Sequence, residues 1–110
     1  MAYDLALADE IRTVLDGAPE VTERRMFGGL SFMVNGNLAV GVRGSEGILV
    51  RVGADAAEEL VRTSIATRAV MGARTMAGWL AVGPDGLGTE AELSEWVQRG
   101  VDYARSLPPK

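Results

Sequence analysis

Asn35-Gly36 stands between two runs of alternating residues, and that arrangement limits the fold more than any other feature of the chain. Before it, Leu30, Phe32 and Val34 alternate with Ser31 and Met33; after it, Leu38, Val40 and Val42 alternate with Ala39, Gly41 and Arg43. A period of two sends successive side chains to opposite faces of a strand. Asn and Gly both tolerate the positive φ that a type I′ turn requires at its two central positions. A second turn, Gly44-Ser45-Glu46-Gly47, leads to Ile48, Val50 and Val52, which alternate with Leu49 and Arg51. The centre of the chain is therefore expected to be a three-strand antiparallel meander.

Helical spacing flanks it. Leu7, Ile11 and Val14 fall on one stripe over residues 4 to 16, widened by Ala8 and Leu15. Gly17 suits a left-handed C-cap, and Pro19 prevents continuation. After Gly53, Asp55 is expected to cap a short helix with Glu58 as its capping-box partner. Residues 68 to 72 and 76 to 82 then suit two further strands. Thr89 with Glu92 forms a capping box for a last helix, whose stripe is Leu93, Trp96, Val97, Gly100, Ala104 and Leu107. The expected fold is α+β: an antiparallel sheet of about five strands with three helices on one face. The order is helix, three strands, helix, two strands, helix. A chain of 110 residues, 47% of them hydrophobic, is expected to be one domain, with 106–110 a flexible tail.

Composition restricts the chemistry. The chain has no cysteine and no histidine. Thiolate nucleophiles, disulfides and imidazole metal ligands are thereby excluded, as is a Ser-His-Asp triad. The acids near helix starts complement the helix dipole. No enzymatic role, cofactor or metal site is expected. The formal net charge is −4, unlike the basic footprint of a nucleic-acid binder. No apolar run approaches the roughly 20 residues of a membrane span, and no signal peptide is evident. A cytoplasmic protein that does not engage membrane is expected.

Two surfaces are candidates for function. Arg24-Arg25 beside Phe27-Gly28-Gly29 offers two guanidiniums and a pliant backbone, a combination that can hold an anion or a small anionic ligand. The second is the sheet face that carries Met33, Arg43, Leu49 and Arg51, where Ala39 and Gly41 allow close approach of a partner, most simply a second copy of the chain. Arg43, Arg51, Arg62, Arg68 and Arg74 offer a further basic patch if they converge, the basis of a weaker nucleic-acid alternative.

The segment from Arg25-Met26-Phe27-Gly28-Gly29 through Asn35-Gly36-Asn37-Leu38 resembles the TfoX N-terminal domain of the TfoX/Sxy family. Leu49-Val50-Arg51-Val52, Met76-Ala77-Gly78-Trp79 and the run from Trp96-Val97 to Leu107-Pro108 extend the resemblance over essentially the whole chain. It implies three helices packed on an antiparallel sheet. Long members are bacterial regulators of natural competence that act with the cyclic-AMP receptor protein on transcription and carry a second, C-terminal domain; this chain is expected to lack it. The resemblance supplies no catalytic residues. The expected function is a non-enzymatic regulatory or adaptor domain acting through protein contacts, with a transcription factor or RNA polymerase component as partner and a homodimer as a further form. The alternatives are a small-ligand or anion sensor and a weak nucleic-acid binder.

Overall fold

The structure is a computed structural model and describes residues 5–26, 29–42, 47–71 and 73–109. Among these residues, six strands form one antiparallel sheet: β1 (Val21–Met26), β2 (Gly29–Val34), β3 (Asn37–Val42), β4 (Ile48–Arg51), β5 (Thr67–Met71) and β6 (Arg74–Val82). Their spatial order is β1-β2-β3-β4-β6-β5. The helices are α1 (Leu5–Val14), α2 (Ala54–Thr63) and α3 (Glu90–Ser106), with a short 3-10 turn at Pro84–Leu87. The α+β architecture is as expected, with one correction. The strand count is six rather than five, because β1 precedes the meander. Its sequence, Val-Thr-Glu-Arg-Arg-Met, carries no alternation of apolar and polar residues. As an edge strand, β1 buries little on either face: Thr22 through Arg25 are exposed, and Val21 packs against the core.

The hairpin forms where the sequence places it, with Asn35 at φ 52° and Gly36 at φ 83°. The strand after it contains a surprise. Val40 lies opposite Phe32, but Leu38 lies opposite Met33, leaving Ala39 as an extra residue. This β-bulge shifts the phase of everything before it by one. Leu38 therefore shares a face with Met33 rather than with Val40, contrary to the simple alternation. Asn37 turns inward instead, 2% exposed, and its Nδ2 donates to the Pro108 carbonyl at 3.0 Å.

Leu30, Phe32, Val34, Val40, Val42, Val50, Leu80 and Val82 form the floor of the core. α3 lies across β2, β3 and β4 and lowers Leu93, Trp96, Val97, Val101 and Ala104 onto them. α1 packs against α3 through Ala8 and Ile11, while α2 rests on β5 and β6 through Ala57. Thr89 caps α3 by accepting from the Glu92 amide at 3.1 Å, and its hydroxyl donates to the Glu92 carboxylate. Asp55 does not cap α2. The N-cap is Gly53 at φ 91°, without a side-chain cap, and Glu58 bonds Arg68 on β5. The Tyr103 ring occupies the space beside Gly53, where a Cβ would lie 2.7 Å from it.

Ion pairs fasten the helices to the sheet. Arg12 of α1 donates to both Glu23 oxygens at 2.8 Å, and Arg105 of α3 donates to Glu20 at 2.9 and 2.5 Å. The Arg12 guanidinium holds the Glu23 carboxyl below its ordinary value of 4.5. Glu20 is lowered by its own backbone amide and then by Arg105, and Glu58 by Arg68. A carboxyl with a depressed folded-state pKa adds stability above its unfolded value and loses it as pH falls through the folded value. Stability should therefore drop in acid, starting near pH 4.5 and continuing below it. Glu20→Gln, Glu23→Gln and Glu58→Gln together should flatten that drop in urea titrations at successive pH. An unchanged pH profile in the triple variant would refute the assignment.

Candidate functional site

All three helices occupy one face of the sheet, so the other has no helix on it. One residue from each strand lines up across that face: Arg24, Ser31, Gly41, Leu49, Ala81 and Thr67, each directly opposite the next. Four of the six, Ser31, Gly41, Ala81 and Thr67, have short side chains or none. A Cβ on Gly41 would meet only Ser31 Oγ at 3.9 Å and Leu49 Cβ at 4.0 Å, ordinary contact distances. Ser31 and Leu49 are 6% and 8% exposed. Beside the row, Met33 and Leu38 form a half-buried apolar pair, a juxtaposition created by the Ala39 bulge. The result is a shallow apolar surface with Arg24 exposed at one end and Thr67 at the other.

Of the partner residues expected from sequence, Met33 and Leu49 lie on this face. Arg43 falls outside the described residues. Arg51 lies opposite Trp79, yet its guanidinium carbon sits 5.6 Å from the centroid of the Tyr103 ring on α3, so it is engaged within the chain. Of the anion-site residues, Phe27 and Gly28 fall outside the described residues, and Gly29 opens β2, buried. Strand alternation separates Arg24 from Arg25: Arg24 is opposite Ser31 on the helix-free face, Arg25 opposite Leu30 on the other. The two guanidiniums are adjacent in sequence but point to opposite sides of the sheet. Two arginines of the wider patch are paired within the chain. Arg62 pairs with Glu59 and Arg68 with Glu58, both acids of α2.

Sequence reasoning also missed a trough between α2 and α3. These helices lie on neighbouring parts of the sheet without packing closely on each other. Val52, Leu60 and Tyr103 line a cavity of about 530 Å³, rimmed by Glu59, Arg99 and Asp102. Leu60 was legible as an apolar helix position, but a gap between two helices leaves no mark in either helix's own periodicity. Among the described residues, no helix is long and apolar enough to cross a membrane.

No curated protein and no solved structure matches the chain. The TfoX N-terminal domain family matches over residues 13–104, from the last turn of α1 to the last turns of α3. The matched region thus contains the whole sheet, the helix-free face and the α3 stripe through Ala104, and the chain belongs to the TfoX N-terminal domain family.

Proposed function

We propose that this chain is a regulatory adaptor domain that holds another protein against the helix-free face of its sheet. The observation that carries the reading is the row from Arg24 to Thr67 with Met33 and Leu38 beside it. The helices fill one side of the sheet with the chain's own side chains. The other side presents half-buried Met33, Leu38 and Ala81, where covering apolar surface is worth about 25 cal/mol per Å², beside short Ser31, Gly41 and Thr67, which let a second backbone approach closely. Family membership supports a regulatory role, and natural competence is its natural setting. The partner is then a component of the transcription machinery. The missing His and Cys leave such a domain to act by contact rather than by chemistry.

Overproducing the chain in its host should shift a defined set of transcripts. The double variant Met33→Glu, Thr67→Glu, shown to be folded by circular dichroism, should not. A photo-crosslinking residue at Met33 or Thr67 should capture a discrete partner, and the same group at exposed Glu10 on α1 should not. Unchanged transcripts, or the same captured species from Glu10, would overturn the reading.

A further inference from the structure

We propose that the outer edge of β1 receives an extended, acidic segment of a partner protein as a seventh strand. This rests on the adaptor reading above and assigns it a partner chemistry. β1 pairs with β2 along six consecutive residues without a bulge, from Val21 opposite Val34 to Met26 opposite Gly29. No other described helix or strand packs substantially against it. Alternate residues of β1 therefore aim their N–H and C=O groups away from the sheet, and such a row is a template for strand addition. The opposite edge is different. β5 has an irregularity between Arg68 and Val70, Arg68 is tied to Glu58, and α2 rests beside the strand.

Charge selects the occupant. Within β1, Glu23 is already held by both nitrogens that Arg12 offers it. Arg24 and Arg25 are exposed and have no acidic partner among the described residues. Because they point to opposite faces, a strand laid alongside meets one guanidinium on each side of the sheet. Two adjacent acids on that strand, one per face, answer both, since opposite charges directly across strands attract and like charges repel. The charge that turns away neutral and basic strands is thus the one that admits an acidic strand.

A second copy of this chain fits poorly. Under a two-fold axis through the sheet, residues facing each other must share a face. The two registers with most overlap centre on Arg24 or on Glu23. The second sets carboxylate against carboxylate; the first sets guanidinium against guanidinium at its centre, and its only attractive pairs need Glu23, already held by Arg12, to turn to the copy's Arg25.

The probe is a fluorescent peptide of about eight residues, long enough to span β1 at ~3.3 Å per residue, with two adjacent glutamates between valines and threonines. It should bind the full chain and protect β1 amides from hydrogen exchange. Arg24→Glu with Arg25→Glu should weaken binding by about tenfold or more, because two attractive cross-strand pairs become repulsive. The same variant should prefer a peptide whose glutamates are replaced by lysines. N-methylating the peptide amides that face β1 should abolish binding, and methylating the alternate set should not. Absent binding to the wild type, binding indifferent to charge reversal, indifference to methylation, or protection confined to another strand would each overturn the proposal. Crosslinking from Met33 that persists after such a failure would leave the adaptor reading standing without this edge. Peptide binding without any transcript response would keep the edge and remove the adaptor reading.

Discussion

Replacing Gly100 with leucine should cost the domain at least about 3 kcal/mol, and alanine about 1–3, although glycine is the poorer residue for the middle of a helix. At an exposed helical site, Gly→Ala adds roughly 1 kcal/mol of stability. Gly100 lies where α3 crosses the sheet. A Cβ there would fall 2.6 Å from the Ala39 carbonyl oxygen and 3.1 Å from side-chain carbons of Val40 and Val50. The nearest obstacle is backbone, fixed by the bulge in β3, and cannot rotate aside. Alanine must lift the helix or push the strand; leucine must do both on a larger scale. Urea unfolding of the wild type and both variants checks this, with the order glycine, alanine, leucine from most to least stable. An alanine variant at least as stable as the wild type would mean that α3 does not approach β3 this closely.

Phe32→Ala should lose about 3–5 kcal/mol, a large share of the ~5–15 kcal/mol available to a domain of this size. Phe32 is 1% exposed in β2, opposite Val40 on one side and Glu23 on the other. Truncating its ring removes the transfer energy of a large apolar group and leaves a void between the sheet and the helices that cover it. Phe32→Leu keeps most of the volume and should cost less than about 1.5 kcal/mol. Thermal and urea unfolding should separate the two clearly. Equal losses would show that ring shape, rather than volume, matters at this position.

The hairpin, the alternating strands and the α3 stripe were legible because each is written locally: two turn residues, a period of two, a period near 3.6. The misreadings share a cause. Simple alternation puts Leu38 on the helix side with Val40, because it assumes that no residue is extra, and Ala39 is extra. β1 went unseen because an edge strand has no buried face to enforce a pattern. Asp55 resembled a cap, but Gly53 already ends the strand and opens the helix, so Asp55 falls within the first turn. Gly100 was correctly placed on the stripe, yet its role needed the Ala39 carbonyl, a tertiary neighbour. As for the candidate site, Met33 and Leu49 were placed by alternation alone. The row that Leu49 belongs to depends on strand order, which brings β6 beside β4 across an intervening helix and strand.

The separation of α2 from α3 also decides how the molecule lets go. α3 buries six residues and α1 buries Ala8 and Ile11, whereas α2 buries only Ala57 and is otherwise held through half-buried Leu60 and Val61 and the exposed Glu58–Arg68 pair. Regions with few buried contacts open at a fraction of the global free energy. The hinge for such an opening is Gly53, whose positive φ and contact with Tyr103 mark where α2 leaves the sheet. α2 is thus expected to open while the meander beneath α3 stays closed, and β6, tied to that core by Leu80 and Val82, keeps the helix-free row whole as it does so.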